Sequence, residues 1–208
     1  MNPRQPQTSP VYAYALHGNC YLNLTSRCNL RCEFCPRMEN EWNVQDYELR
    51  LRRTQEPDTA ELLTAIGNPG DFQEIVFCGL GEPTLRLDTL LAVGRALRQR
   101  GARVRLNTNG LANQYYGRDV TPELGSAIDA VSISLNAQDE ATYERYCRPK
   151  QAGAYAALLD FIAKVKTHVP DVTVTAIDGL EGVDIAACAR IAAELGVKFR
   201  ARLLDQIG

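Results

Sequence analysis

Only two histidines, His17 and His168, occur in the 208 residues, and no apolar run approaches the roughly 18 residues that a membrane-spanning helix needs. The opening MNPRQPQTSP is polar and proline-rich, with no apolar core of a signal peptide, so a cytoplasmic protein with no membrane partner is expected. Basic excess is also missing. The net charge is −2 and the pI near 5.8, which leaves nucleic acid unsupported as a partner. Seven cysteines is an odd number, and a reducing compartment disfavours disulfides, so clustered thiols there point to metal binding or chemistry. Without a secretory route the Asn23-Leu24-Thr25 sequon carries no meaning.

What is present is ordinary globular material, 45% apolar and 23% charged, arranged as strands alternating with helices. Six segments read as strands: 20–26, 73–79, 102–110, 129–136, 172–178 and 198–204. Between them, Asp58 with Glu61 three residues on marks a helix start. Leu87, Leu90, Leu91, Gly94 and Leu97 then trace one helical face. Further helices are expected over 139–147, along Tyr155, Leu158, Leu159, Ile162 and Val165, and along Ile185, Cys188, Ala189, Ala192 and Leu195. Such alternation predicts a parallel sheet with helices outside it. A full eight-unit barrel takes roughly 250 residues, so about six units fit here. The expected fold is α/β, a partial (β/α)6 TIM-like barrel, with a doubly wound sheet as competitor. Residues 1–18 read as a tail and entry segment and 19–208 as one domain. Within it, 37–57 forms an insertion where Trp42 and Tyr47 are lid candidates.

In either fold, functional groups gather at the C-terminal ends of parallel strands. The unusual segments fall there: SRCNLRCEFCPR after the first strand, GLGEP after the second, NTNG after the third and SLN at the end of the fourth. A structural zinc site needs four ligands, commonly two pairs, and here one triplet stands without a second pair or a histidine partner. Three thiolates on one loop can instead hold three irons of a cubane cluster and leave the fourth open.

Cys28-x3-Cys32-x2-Cys35, with Phe34 before the last cysteine, resembles the signature loop of the radical S-adenosylmethionine (SAM) superfamily. GLGEP (79–83) resembles its GGEP element, with Leu80 at the second glycine, and TNG (108–110) and SISLN (132–136) resemble its third- and fourth-strand signatures. The match runs from about Cys20 to Leu204. The strings FCGLGEPTLRLD, NTNG and SISLNAQDEATYERYCRP are most similar to the TatD-associated radical SAM proteins.

The resemblance implies that Cys28, Cys32 and Cys35 ligate a [4Fe-4S] cluster whose open iron chelates the methionine end of SAM. It implies that Gly79, Gly81, Glu82 and Pro83 form a turn facing SAM, with Gly81 allowing close backbone approach and Glu82 near the methionine ammonium. Phe34 would touch the adenine. Thr108, Asn109, Ser134 and Asn136 would contact the ribose or carboxylate, and Thr175 and Ile177 correspond loosely to late SAM-contact positions, TAIDGLEG departing from the usual GxIxGxxE spacing. The implied reaction is reductive cleavage of SAM to a 5′-deoxyadenosyl radical. That radical takes hydrogen from an unidentified small molecule or nucleotide, with flavodoxin or ferredoxin as electron donor. No general acid or base is nominated.

Other residues have plainer expectations. Cys20, Cys147 and Cys188 read as buried core thiols and Cys78 as a thiol packed beside the cluster; no cysteine-rich C-terminal extension suggests a second cluster. Arg148 reads as a surface residue and ELRLRR (48–53) as a solvated segment. Competing functions are an activating enzyme that installs a radical on a partner protein, a non-catalytic iron–sulfur or zinc protein, and a 7-carboxy-7-deazaguanine synthase. Pro36 after the third cysteine disfavours the last, where a metal-binding hydroxyl is expected.

Overall fold

A computed structural model describes residues 9–204. Its centre is a seven-stranded sheet in the order β1, β2, β5, β6, β7, β8, β9. Strands β2 (Asn19–Asn23), β5 (Ile75–Cys78), β6 (Val104–Thr108), β7 (Ala130–Ser134), β8 (Asp171–Asp178) and β9 (Lys198–Leu203) run parallel and match the six expected segments. β1 (Ala13–Leu16) is an added antiparallel edge. It reaches β2 through His17-Gly18, both at positive φ (52° and 79°), as a two-residue type I′ turn requires. Part of the expected entry segment therefore belongs to the sheet; residues 1–8 of it lie outside the described residues.

Helices α1 (Thr59–Ile66), α2 (Leu87–Gln99), α5 (Glu140–Cys147), α6 (Ala154–Val165) and α7 (Ile185–Glu194) form where periodicity placed them. α1 begins with a reciprocal capping box: Glu61 N–H donates to Asp58 Oδ1 and Asp58 N–H to Glu61 Oε2, both at 2.8 Å. Two helices were not expected, α3 (Ala112–Tyr116) and α4 (Thr121–Gly125), each of five residues in the β6–β7 connection.

The distribution of side chains decides between barrel and doubly wound sheet. All seven helices feed one apolar core with the outward residues of the strands, among them Leu22, Phe77, Leu106, Ile133 and Val174. A doubly wound sheet is covered by helices on both faces, so its strands are apolar on both. Here the opposite face is polar except where Tyr21 and Val76 lie under the 37–57 segment: Asn23 aligns with Cys78, Asn107 with Ser132, and Ser132 with Thr173. That face is the lumen of an open, partial barrel.

At the β1–β2–β5 side the lumen is closed by the 37–57 segment, which folds as a short hairpin of β3 (Asn43–Val44) and β4 (Tyr47–Glu48). Val44 and Leu49 bury against Tyr14, Tyr21 and Val76, and the Tyr47 ring packs 5.3 Å from that of Tyr14. Asn23 pins the segment from below, its Nδ2 donating to Leu49 O at 2.9 Å and Val11 O at 3.0 Å.

Candidate functional site

The cysteine loop leaves the end of β2 and finishes in a short 3-10 turn, Pro36–Glu39. Cys28, Cys32 and Cys35 are each partly exposed, and all seven cysteines are free thiols. Several donors fix the loop's shape. Cys28 Sγ accepts from Leu30 N–H at 3.4 Å and from Asn109 Nδ2 at 3.8 Å. Arg37 Nε lies 3.4 Å from Cys35 Sγ, while its other nitrogens reach Ser26 O at 2.9 Å and Leu30 O at 3.4 Å. One guanidinium thus ties the start, middle and end of the loop together.

The segment after α5 straps the other side. Arg31 N–H donates to Cys147 O, Glu33 N–H to Tyr146 O and Lys150 N–H to Asn29 O, and Lys150 Nζ donates to Cys28 O at 2.9 Å. Arg148, in the left-handed conformation that ends α5, pairs with Glu33. Cys147 is buried as expected, and its sulfur accepts from Asn136 Nδ2 at 3.6 Å beside the loop. Hydrogen-bonding to Cys147, then burial, raises the Cys32 pKa, and burial followed by the Glu82 charge pushes Cys28 up to about 11. Both shifts favour the protonated thiol at Cys28 and Cys32, so metal loading there must release protons.

GLGEP buttresses the same loop. Glu82 N–H donates to Arg27 O at 2.8 Å, and a Cβ on Gly81 would sit 2.0 Å from Thr25 O and 2.8 Å from Arg27 O. The close approach expected at Gly81 is therefore made to the chain's own backbone. Gly79 has φ +103°, a conformation that favours glycine. Pro83 starts a buried 3-10 turn.

Glu82 is 3% exposed and its carboxylate turns inward. Oε1 accepts from Thr84 N–H at 3.1 Å, Thr84 Oγ1 at 2.7 Å and Thr108 Oγ1 at 2.7 Å; Oε2 accepts from Asn109 N–H at 2.8 Å. Burial raises its pKa against the pull of these donors. It cross-braces the β5 and β6 turns. Thr108 is thereby committed too, its oxygen also accepting from Gly110 N–H at 3.1 Å. Asn109 serves the turn through Oδ1, which accepts from Leu111 N–H, and reaches the cysteine loop through Nδ2, 2.6 Å from Asn29 Oδ1.

Phe34, on the cysteine loop, packs against the margin of the core, as Cys28 and Cys32 do. The remaining candidates stand across the lumen. Ser134 and Thr175 are register neighbours on β7 and β8. Asn136, at φ 61°, donates from its backbone to Thr175 O and lies between Cys147 and Arg202, whose guanidinium approaches Oδ1 at 3.4 Å. Arg37, Asn29, Cys147, Lys150 and Arg202 were not singled out as site residues from sequence. Asn29, inside the cysteine motif, and Arg37, two residues past its last cysteine, had a positional clue.

Three thiols on one loop are a donor set that fits an iron–sulfur cluster. Among the described residues no three His, Cys, Asp or Glu side chains are disposed to hold one metal ion. A cubane spreads its thiolate ligands over separate irons and needs no such convergence. On the outer side of the loop a cavity of about 590 Å³ is lined by Arg27, Cys28, Arg31, Arg37, Trp42 and Lys150, among others.

Comparison with known proteins agrees with the geometry. Residues 22–195 match the radical SAM superfamily, and the chain belongs to it. The chain is 30% identical over 184 residues to the tungsten-containing aldehyde ferredoxin oxidoreductase cofactor-modifying protein of Pyrococcus furiosus, covering 85% of this chain and 48% of that protein. It is 29% identical over 185 residues to GTP 3′,8-cyclase of Corynebacterium glutamicum, covering 86% and 47%. The chain thus spans about half the length of the curated relatives it matches. Streptococcus suis SuiB bound to S-adenosylmethionine superposes with TM-score 0.66 at 12% identity, over 90% of this chain and 40% of that one, a likeness of fold. No helix among the described residues is long and apolar enough to cross a membrane.

Proposed function

We propose that this chain is the catalytic core of a radical SAM enzyme, with Cys28, Cys32 and Cys35 holding a [4Fe-4S] cluster and SAM lying across the mouth of the lumen. The observation that carries this reading is the cysteine loop itself: three thiols held apart on one preshaped loop at the C-terminal end of a parallel, polar-lined barrel. Bound there, the cluster supplies the electron that cleaves SAM reductively and so provides the 5′-deoxyadenosyl radical for hydrogen abstraction.

The chain's own residues bind and orient. Glu82, Thr108 and Asn109 hold the β5 and β6 turns in register with the loop, and backbone carbonyls of the Gly79–Glu82 turn accept from the methionine ammonium. Asn109 Nδ2 steadies Cys28. Phe34 offers its ring to the adenine, and Ser134, Asn136 and Thr175 face the ribose and carboxylate. The lumen directs C5′ toward one substrate C–H bond.

The electron donor is acidic, a flavodoxin or ferredoxin, and docks at the outer cavity, where Arg27, Arg31, Arg37 and Lys150 surround Cys28. Free thiols throughout suit a reducing cytoplasm. The strings FCGLGEPTLRLD, NTNG and SISLNAQDEATYERYCRP support placement beside the TatD-associated radical SAM proteins.

Anaerobic reconstitution followed by reduction with SAM tests the reading. About four irons per chain, a SAM-perturbed EPR signal and 5′-deoxyadenosine are expected, with cluster loss in Cys28→Ala. A single bound zinc and intact SAM would refute it.

A further inference from the structure

We propose that Arg200 and Arg202 on β9 form an anion-recognition wall in the lumen, receiving a carboxylate or phosphate of the substrate. This rests on the radical SAM reading and narrows its substrate to an anionic molecule.

Register puts the wall in place. Thr173 aligns with Lys198, Thr175 with Arg200 and Ile177 with Arg202, so alternate β9 residues share the polar face with Ser132 and Ser134. Arg200 lines a cavity of about 300 Å³ with Arg105, Ser132 and Thr173, and the cavity's acidic members Glu74 and Asp171 are already paired with Arg103, Arg105 and Lys198; Arg202 stands one pleat above it. The other cations of this wall are matched. Arg103 bonds Glu74 at 2.7 Å and Asp171 at 2.9 Å, Arg105 bonds Glu74 at 2.9 Å, and Lys198 bonds Asp171 at 3.0 Å. Arg200 and Arg202 enter no ion pair among the described residues.

Arg202 is the sharper case. Its Nε is buried with no acceptor, and its single side-chain hydrogen bond among the described residues is the 3.4 Å contact to Asn136. Burial, and then the charge of Arg200, pushes its pKa down. A buried guanidinium nitrogen left without an acceptor is costly unless something fills it. Two like charges one pleat apart, roughly 7 Å along a strand, add to that cost. A carboxylate or phosphate removes both penalties, because its oxygens match the planar guanidinium fork and its charge lies between the two arginines. Arg202 is also level with Asn136 and near Cys32, so an anchored anion would hold the rest of the substrate on the cluster side of the lumen.

The test is calorimetric titration of the metal-free chain with inorganic pyrophosphate and, separately, succinate, at ionic strength matched with sodium chloride. Saturable one-to-one binding of at least one anion is expected, weakened roughly ten- to a hundredfold in Arg202→Gln and in Arg200→Gln, with Arg202→Lys in between. Preference for pyrophosphate indicates a phosphorylated substrate and preference for succinate a carboxylated one. Thermal melts of each variant confirm folding, and the two arginines are tested independently. Absence of saturable binding by either anion, or wild-type affinity in both Gln variants, would overturn the proposal. So would displacement of the anion by SAM in the cluster-loaded protein, which would assign the wall to SAM's own carboxylate. Cleavage of SAM without anion binding sinks this inference alone; anion binding without cleavage sinks the radical reading and leaves the wall standing.

Discussion

Replacing Gly81 with alanine puts a methyl group where backbone already lies, 2.0 Å from Thr25 O and 2.8 Å from Arg27 O. Neither oxygen belongs to a flexible side chain that can swing away, so the GLGEP turn must retreat by roughly 1 Å or more to restore van der Waals distance. Overpacking of this kind costs about 1–3 kcal/mol. The retreat also stretches the 2.8 Å bond from Glu82 N–H to Arg27 O, worth about 1 kcal/mol. Together these amount to about 2–4 kcal/mol, which for a chain of this size lowers the melting midpoint by roughly 5–15 °C. Because Thr25–Arg27 leads directly into Cys28, the damage is expected at the thiols as well as in the melt. Differential scanning calorimetry of the metal-free protein and iron content after anaerobic reconstitution measure the two effects. Gly70→Ala is the control: its Cβ would meet only Asn68 side-chain atoms, the nearest at 3.4 Å, and it should stay within about 0.5 kcal/mol of the parent. If Gly81→Ala melts within about 1 °C of the parent and takes up full iron, the packing of the turn against the cysteine loop is wrong.

Asp58→Ala removes the acceptor of the α1 capping box and should cost about 1 kcal/mol, read as a lowered urea midpoint with unchanged slope; no shift would mean the box is not formed in solution. Cys147→Ala should keep the iron content of the parent while Cys28→Ala loses it, because Cys147 neighbours the loop without serving as a ligand; equal loss in both would assign it a ligand role. The contribution of Glu56 to stability should be constant near neutral pH and fall in acid. Burial raises the Glu56 pKa, but hydrogen bonds from Arg27 and Thr25 and the charges of Arg27 and Arg86 outweigh it, so the folded value lies below the unfolded one near 4.3. The stabilisation is then complete above the unfolded pKa and is lost as pH falls through the folded one; Glu56→Gln should flatten that acid limb, and an unchanged limb would rule Glu56 out as its source.

How much of this was legible beforehand depended on the length of each signal. The six parallel strands and five longer helices carry two- or 3.6-residue patterns sustained over enough positions to read, and the Asp58/Glu61 box marks its own start. α3 and α4 span five residues each, barely more than one turn, so their periodicity never repeats. β1 is four residues long, and its partner was assigned first. In the site, the cysteines were readable from their spacing taken with the superfamily resemblance, and Glu82 and Thr108 from GLGEP and TNG within it. Which way Glu82 turns is set by Thr84, two residues on, and by Thr108 and Asn109 from the next strand, the latter a tertiary fact without a local signature. Arg202 was invisible for a related reason: alternation along KFRARL predicts a strand, but which face meets the lumen follows from pairing with β8.

The two sides of the site are held by different means, and this bears on how the substrate is chosen. On the cysteine side the loop, GLGEP and NTNG are interlocked through Arg37, Glu82, Asn109 and Lys150, and a change at one is felt by the others. On the β7–β9 side, single side chains project from strands whose backbone pairing does not depend on them. Arg200, which makes no side-chain hydrogen bond to the loop among the described residues, can therefore change without disturbing it, and Arg202 touches it only through Asn136. A fold divided in this way keeps one way of handling SAM while its substrate face diverges. That division is consistent with roughly 30% identity shared with a cofactor-modifying protein and with a GTP 3′,8-cyclase, proteins whose substrates differ. On the proposed reading, the substrate of this chain is to be sought from the chemistry of β9, where Arg200 and Arg202 enter no ion pair among the described residues, and not from the cysteine motif that it shares with its superfamily.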